Sequence, residues 1–288
     1  MIHNSIAMPN SAINQVKQIC RAYNINPSRQ KGQNFLINPE IIEKIIQAAD
    51  LKKSDTVLEV GPGLGILTEE LVKRVKKVIS VELDKKLFDF LKVKFAGVSN
   101  LELINADILR SPVTGHRLPV YKIVSNLPYN ITSHFLRKFL TAKNRPAGMT
   151  LLIQKEVAQR ICAPVGQMSL LALSVQFYGQ PKIIDFVKRD NFWPTPEVDS
   201  AILTISKIKN QQAVDNYLAG VNEEFFWRVI KISFSAKRKQ IHNNLAAGLH
   251  LPDEEIKKML KKANFDPKIR AQNLSLADWL ALVKSLSL

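Results

Sequence analysis

Several features that mark other protein classes are scarce or absent in this 288-residue sequence. It has two cysteines, Cys20 and Cys162, which fit neither a disulfide framework nor the paired spacing of a zinc site. No apolar run approaches the roughly 18 residues that span a membrane, and Met1 to Asn10 lacks the basic and apolar segments of a secretory signal. We therefore expect a cytoplasmic protein with no membrane partner.

The sequence also lacks a recognisable metal site. None of its histidines is paired with another at the spacing of metal ligands: His3, His116, His134, His242 and His250. We therefore expect no bound metal and no acid–base dyad.

Acidic residues are too few to balance the basic ones. The chain has 25 Asp and Glu against 41 Lys and Arg, a formal net charge of +16. An excess of this size favours attraction to a polyanion. The alternative is a basic surface that binds nothing. Since no amphipathic helix of the membrane type stands out, nucleic acid is the favoured polyanion.

Strand and helix patterns alternate from residue 39 to residue 208. Helices are predicted over 39–49, 64–74 and 86–95, and strands over 56–60, 78–82, 101–105, 121–126, 149–154 and 201–208. This alternation predicts an α/β fold with a mostly parallel sheet. After a polar linker at 209–212 the pattern is helical over 223–234, 238–247, 253–263 and 275–286, which predicts a small all-helical C-terminal domain. The expected domains are an N-terminal extension (1–28), a ligand-binding domain (29–208) and a helical domain (209–288).

A glycine-rich loop follows the first strand of this pattern. Gly61, Gly63 and Gly65 are separated by single residues, and glycines let a backbone turn sharply and approach a ligand closely. Loops of this kind lie where open α/β sheets bind ligands. A tight strand-to-helix turn with no ligand is the alternative.

Acidic residues follow the next two strands. Glu82 ends the second strand at the spacing where a carboxylate accepts hydrogen bonds from both ribose hydroxyls. Asp107 follows the third strand and is placed to accept from an adenine amino group. Together with the loop they predict an adenosyl cofactor, although solvated acids at strand ends are the alternative. A nicotinamide dinucleotide is disfavoured by the loop spacing and by Glu59 two residues before the loop.

The most specific motif is Asn126-Leu127-Pro128-Tyr129, after the fourth strand. The amine of adenine is a poor nucleophile because its lone pair is delocalised into the ring. The Asn126 side-chain oxygen and a backbone carbonyl, that of Leu127, can accept its two N–H groups and localise the lone pair. Pro128 stiffens that carbonyl, and Tyr129 can stack on the base.

A second aromatic cluster spans Phe192 to Ser200 and contains Pro194 and Pro196. The two prolines predict a rigid loop that presents Phe192 to the opposite face of a flipped base. Phe192 and Trp193 as plain core anchors are the alternative, which we prefer for Trp193.

In this order the motifs resemble the ribosomal RNA adenine dimethylases, over roughly residues 29–288. Further landmarks are 32–36, 154–158, Phe192 to Ser200 and the basic segment from Lys237 to Leu245. The resemblance implies a Rossmann-like class I methyltransferase with an added antiparallel strand and a helical C-terminal domain. It implies S-adenosyl-L-methionine as cofactor, bound by Asn34, Leu36, Gly61, Gly63, Glu82, Asp107 and Asn126.

Within that family the sequence is most similar to the bacterial enzymes that dimethylate two adjacent adenines near the 3′ end of 16S rRNA. The expected partner is thus 16S rRNA in a precursor small ribosomal subunit, and the expected role is in ribosome biogenesis. A cluster of basic residues is predicted to contact RNA phosphates: Lys237, Arg238 and Lys239. We expect a monomer.

Three alternatives remain open at this point. The macrolide-resistance methylases of large-subunit rRNA share the Asn-x-Pro-aromatic core, although the glycine loop and the segments 154–156 and 237–245 resemble the small-subunit enzymes. A ribosome-assembly factor with vestigial catalysis is the second, opposed by the intact Glu82, Asp107, Asn126 and Tyr129. A nicotinamide-dependent reductase is the third, disfavoured by the loop spacing.

Overall fold

A computed structural model describes residues 10–28, 32–111, 120–236 and 238–286. The predicted RNA contact Lys237 and two of the histidines, His3 and His116, lie outside these ranges. The chain divides into two compact units. The first comprises Met1–Ala158 and Gln180–Ile208, and the second comprises Gln159–Gly179 and Lys209–Leu288.

The secondary structure follows the predicted alternation and adds elements to it. The strands are β1 (Phe35–Leu36), β2 (Thr56–Val60), β3 (Lys77–Glu82), β4 (Leu101–Asn105), β5 (Lys122–Asn126), β6 (Gly148–Gln154), β7 (Gln180–Val187), β8 (Phe192–Trp193) and β9 (Ser200–Ser206). The helices are α1 (Asn10–Ala22), α2 (Pro39–Ala48), α3 (Ile66–Arg74), α4 (Lys85–Lys94), α5 (Thr132–Leu140), α6 (Lys155–Ile161), α7 (Leu170–Tyr178), α8 (Gln211–Leu218), α9 (Glu223–Ser233), α10 (Ile241–Leu249), α11 (Asp253–Lys262) and α12 (Leu276–Leu286).

The first unit is built on a seven-stranded sheet with the order β4-β3-β2-β5-β6-β9-β7. The five strands from β4 to β6 are parallel, and β9 pairs antiparallel with both β6 and β7. The predicted α/β fold with a mostly parallel sheet is confirmed. Since parallel strands end at one edge of a sheet, the loops after β2, β3, β4 and β5 lie side by side there.

Two hydrophobic clusters hold helices to this unit. In one, the isoleucines of α2 and the leucines of α3 pack on the strands, with Ile45, Val57 and Leu71 fully buried. In the other, Val16 and Cys20 of α1 pack with Phe90 of α4. Each buried side chain of this size contributes about 1.5–3 kcal/mol.

The predicted N-terminal extension needs a correction for its described part. Helix α1 and the segment after it belong to the first unit because their apolar residues, including Val16, Cys20 and Ile25, are buried in its second cluster. Tyr23 adds an edge-to-face contact with Phe90, at 4.9 Å between ring centroids. Residues 1–9 lie outside the described ranges.

The second unit is helical and begins earlier in the chain than predicted. Residues 159–179, which the sequence analysis assigned to the 29–208 domain, group with α8 to α12. The physical reason is aromatic packing: Phe177 of α7 lies 5.2 Å from Phe226 and 5.1 Å from Trp227 of α9. Helix α8 also begins inside the predicted linker, with the Asn210 side chain accepting from the Ala213 N–H at 2.9 Å. Within the described ranges, every helix is too short or too polar to cross a membrane.

Candidate active site

One cavity, of about 280 Å³, lies at the carboxyl edge of the parallel strands. It brings together the residues predicted to bind the cofactor: Asn34, Leu36, Gly61, Gly63, Glu82, Asp107 and Asn126. Leu127, Pro128 and Tyr129 of the predicted catalytic motif also line it. Residues from four separate loops therefore converge on one concave site.

The glycine loop turns directly after β2. Gly61 has φ +66°, in the left-handed region that favours glycine, and its N–H donates to the Val81 carbonyl at 2.9 Å. A Cβ at this position would lie 3.3 Å from both Cγ and Cδ of Pro128. A side chain here would be strained in the backbone and crowded against the catalytic motif, so position 61 requires glycine on both counts.

Glu82 is held by the backbone at both of its carboxyl oxygens. Oε2 accepts from the Gly63 N–H at 3.2 Å, and Oε1 accepts from the Asp84 N–H at 2.9 Å. The residue is 5% exposed, and burial raises the pKa of its carboxyl to about 7, against the lowering effect of these two donors. The group is thus fixed in position at the cavity and is poised between its neutral and ionised forms.

Asp107 follows β4 and is more exposed. Its Oδ1 accepts from the Leu109 N–H at 2.8 Å, which fixes the turn after the strand. The Asn105 side chain donates to the Glu82 carbonyl at 2.8 Å and ties the end of β4 to the end of β3. The two predicted acids are therefore held in a defined relation to each other.

A third acid in the cavity, Glu59, is 1% exposed. Its Oε2 accepts from the hydroxyls of Thr68 at 2.7 Å and Ser80 at 2.6 Å. Burial is the main cause that raises the pKa of Glu59 to about 7, and the two hydroxyls oppose it. The carboxyl of Glu59 is thus buried in the wall of the cavity and held there by two hydroxyl donors.

The catalytic motif begins at the end of β5. The Asn126 side-chain Nδ2 donates to the Asn34 carbonyl at 3.3 Å, which turns Oδ1 to the opposite side of the amide. The Leu127 N–H donates to the Leu152 carbonyl at 3.1 Å, and its side chain is buried. Pro128 has φ −54° and ψ 130°. The backbone of the motif is therefore rigid on both sides of the Leu127 carbonyl.

Tyr129 joins the first cavity to a second one. It lines both, and the second, of about 350 Å³, is also lined by Asn34, Gln154 and the segment 195–198. The Tyr129 hydroxyl hydrogen-bonds with the Ser200 Oγ at 2.6 Å. This bond holds the ring between the two cavities, where a base entering from the second would meet it.

Phe192 is placed differently from the prediction. It is 2% exposed and belongs to the hydrophobic cluster that contains Leu36, Ile202 and Val187. In the backbone it pairs with Leu36 across the β1–β8 ladder. The ring is thus a core anchor in this structure, and it is not among the residues that line either cavity.

Two apolar wall residues were not predicted. Leu83 and Ile108 line the first cavity, each directly after a predicted acid, Glu82 and Asp107. The signal was present in the sequence, as an apolar residue next to each ligand-type acid at a strand end. A flat, apolar ligand ring such as adenine fits between walls of this kind.

The basic segment of the second unit is a turn and not a helix start. Arg238 and Lys239 are exposed between α9 and α10, which begins at Ile241 and not at Arg238 as predicted. The Asn244 side chain holds the turn by donating to the Ser233 and Ala236 carbonyls, at 2.7 and 3.2 Å. Among the described residues, no group of three or more His, Cys, Asp or Glu is arranged to hold a metal.

The strand order, the glycine loop and the strand-end acids define a class I methyltransferase, whose cofactor is S-adenosylmethionine. The model for the ribosomal RNA adenine dimethylase family matches residues 24–288, and the chain belongs to that family. It is therefore an enzyme of rRNA adenine dimethylation. The resemblance expected from the motifs is confirmed.

Individual relatives agree with this assignment. The "Ribosomal RNA small subunit methyltransferase A" of Dehalococcoides mccartyi strain BAV1 is 45% identical over 96% of this chain and 94% of its own. The protein of the same name from Moorella thermoacetica is 36% identical over 98% of this chain and 99% of its own. Among solved structures, a dimethyladenosine transferase from Plasmodium falciparum has a TM-score of 0.71 at 28% identity, covering 85% of this chain and 94% of its own. The 23S rRNA methyltransferase ErmE has a TM-score of 0.67 at 27% identity, covering 88% of this chain and 100% of its own.

The buried carboxyl of Glu82 predicts pH-dependent cofactor binding. Ribose hydroxyls donate to the ionised form, so binding should release a proton, and affinity for S-adenosylmethionine should rise about tenfold from pH 6 to pH 8. The folding stability of the protein without ligand has the opposite pH dependence. Because the pKa of Glu82 is raised in the folded state, its contribution to stability is lost as pH rises towards 7. Calorimetric titration in buffers of different ionisation enthalpy measures the released protons. Glu82→Gln should bind S-adenosylmethionine more weakly and release fewer protons on binding. The same number of released protons in the variant and the wild type would contradict the assignment of Glu82 to the ribose hydroxyls.

The position of Phe192 predicts that its volume matters more than its aromaticity. Phe192→Leu keeps most of the apolar volume and should cost less than about 1.5 kcal/mol of stability, with near-normal turnover. Phe192→Ala should cost about 3–5 kcal/mol. Urea unfolding and single-turnover methyl transfer check both. A Leu variant that is stable but has lost turnover would show that the ring stacks on the base.

Proposed function

We propose that this chain uses S-adenosylmethionine to dimethylate the N6 amines of two adjacent adenines near the 3′ end of 16S rRNA. The substrate is a precursor small ribosomal subunit, and the reaction is a step of ribosome biogenesis. The observation that carries the proposal is the position of Asn126-Leu127-Pro128-Tyr129, where the cofactor cavity meets a second cavity lined by Tyr129.

The cofactor site is proposed on the fit between its donors and acceptors and the ligand. Glu82 accepts from the ribose hydroxyls, Asp107 accepts from the adenine amine, and Leu83 and Ile108 enclose the ring. Asn34, Leu36, Gly61 and Gly63 contribute the surrounding backbone and apolar contacts. The bound cofactor supplies an already activated methyl group, so no metal is required.

The target amine is oriented by the catalytic motif. Oδ1 of Asn126 and the carbonyl of Leu127 accept its two N–H groups, which localises the nitrogen lone pair for attack. Because the amide of Asn126 is oriented by Asn34 and Pro128 stiffens the chain, these acceptors are in place before the base arrives. The ring of Tyr129 stacks on the flipped base.

The small subunit is favoured over the large one as substrate. The relatives at 36–45% identity carry a small-subunit name, whereas the large-subunit enzyme ErmE is 27% identical. The enzyme is proposed to act as a monomer. Exposed Arg238 and Lys239 are proposed to contact rRNA phosphates, together with Lys237.

The direct test is to map the nucleotides that carry new methyl groups after reaction with undermethylated small subunits. Two adjacent N6,N6-dimethyladenosines near the 3′ end of 16S rRNA are expected. Methylation of large-subunit rRNA instead would overturn the substrate assignment. A normal cofactor response without any methyl transfer would favour an assembly factor.

Removal of the Asn126 acceptor should affect turnover more than RNA binding. Asn126→Ala should lower the single-turnover rate by about 100-fold or more, because the hydrogen bond to Asn126 strengthens as charge leaves the nitrogen.

For Tyr129, Tyr129→Phe is the matched control for Tyr129→Ala. It keeps the ring, loses the Ser200 hydrogen bond and should reduce turnover only mildly, whereas Tyr129→Ala should reduce it severely. Mass spectrometry of product nucleosides gives rates and the monomethyl to dimethyl ratio. Equal rates for Asn126→Ala and the wild type would refute the orienting role.

The exposed basic turn predicts a change in salt dependence. Arg238→Gln with Lys239→Gln should reduce the slope of log affinity for the small subunit against log salt by about two units, one per phosphate contact. Binding of S-adenosylmethionine should not change. Lys261→Gln with Lys262→Gln, also exposed in the second unit, is the control of equal charge. Equal slopes for the two double variants would remove the turn from the RNA contact.

A further inference from the structure

The edge strand β7 carries an exposed aromatic ring at the active-site end of the sheet. Phe186 is 47% exposed, although phenylalanine is normally among the buried residues. Strand β7 is the last in the order of the sheet, so its outer side has no strand neighbour among the described residues. The ring is therefore open to a partner at this position.

A cation lies against the ring. The Lys155 ammonium is 5.3 Å from the centroid of Phe186. Of the nearby carboxylates, Asp185 pairs with Lys44 at 2.5 Å and Asp199 with Lys188 at 3.1 Å, and the charge of Lys155 also acts on Asp199. An aromatic ring beside a cation is the pairing that binds single-stranded nucleic acid, because the ring stacks on a base and the cation meets a phosphate.

The register of the sheet places this pair at the same strand ends as the catalytic site. Ser200, which hydrogen-bonds Tyr129, is the cross-strand partner of Gln154 on β6 and of Val187 on β7. Lys155 follows Gln154, and Phe186 precedes Val187. Phe186 pairs with Ala201, the neighbour of Ser200, so its side chain points to the opposite face of the sheet from Ser200 but lies at the same end of the strands.

We propose that Phe186 and Lys155 form a subsite for a nucleotide of the RNA substrate that flanks the flipped adenine. Phe186 stacks on the base of this nucleotide, and Lys155 contacts its phosphate. The subsite rests on the proposed function, since it needs an RNA strand with one base in the Tyr129 pocket. The proposed reaction modifies two adjacent adenines, so such a subsite could bind one adenine while the other reacts.

The matched control lies on the same strand. Ile184 is 43% exposed and occupies the irregular step in the β7–β9 register between Ile183 and Asp185. It has comparable apolar exposure but no aromatic ring. Ile184→Ala therefore reports the effect of removing apolar surface from the edge strand without removing a stacking partner.

The test compares Phe186→Ala, Phe186→Tyr and Ile184→Ala in methyl transfer to undermethylated small subunits. Phe186→Ala should raise the KM for subunits about tenfold, the effect of losing one stacked base, and leave S-adenosylmethionine affinity unchanged. Phe186→Tyr should restore KM, and Ile184→Ala should match the wild type. If Phe186→Ala equals Ile184→Ala while the wild type dimethylates normally, the subsite is refuted and the proposed function stands.

Two further outcomes separate the proposals. If the wild type methylates no small subunit, the function fails, and anisotropy of a fluorescent single-stranded adenine-rich RNA still tests the subsite: Phe186→Ala should weaken its binding, and equal binding would refute the subsite. If Phe186→Ala changes the sedimentation of the protein but not its RNA binding, the edge is a contact between copies of the chain and the subsite is also refuted.

Discussion

The contact between Gly61 and Pro128 is the constraint on which the active site depends. Strands β2 and β5 are neighbours in the sheet, so the loops that follow them share one edge. A Cβ at Gly61 would lie 3.3 Å from the proline ring, which leaves room for no side chain between the cofactor loop and the catalytic motif. The cofactor loop and the catalytic motif are therefore held against each other by the fold itself, which is the proximity that the proposed reaction requires.

The second feature of the site is that two of its acids are buried. Glu59 and Glu82 have pKa values raised to about 7 by burial, and both are held by hydrogen-bond donors of the chain. Desolvated carboxyls of this kind cost stability when they ionise. In the proposed function the ribose hydroxyls of the cofactor donate to the ionised Glu82 and offset that cost.

Much of the first unit could be predicted because strand ends in a parallel sheet are specified locally. Strands β2 and β4 begin and end where the alternation of apolar residues predicted, and Glu82 and Asp107 lie together as their positions after β3 and β4 required. The predictions that were wrong concern residues whose environment is set by distant parts of the chain. Phe192 is buried because β8 pairs with β1, more than 150 residues earlier, and no local pattern reveals that pairing.

The domain boundary was misplaced for a similar reason. Helix α7 is apolar over most of its length, and the sequence alone did not show which core it joins. Phe177 packs on Phe226 and Trp227, contacts between residues about fifty positions apart. By contrast, the helix predicted to start at Arg238 begins at Ile241, and the Asn244 side chain reaches back from that helix to close the turn before it.

A rigid catalytic motif suits a reaction carried out twice on one nitrogen. In the proposed mechanism the amine keeps one N–H after the first transfer, so one of its two proposed acceptors, Asn126 Oδ1 or the Leu127 carbonyl, still orients it. The other acceptor then faces a methyl group and must tolerate its volume. Because the backbone is fixed by Pro128 and by the Leu127 N–H bond to Leu152, the proposed mechanism requires that volume to come from the first cavity, which both acceptor residues line, and not from movement of the motif. In that mechanism the space beside the two acceptors, more than the strength of either hydrogen bond, determines whether the second methyl group is added.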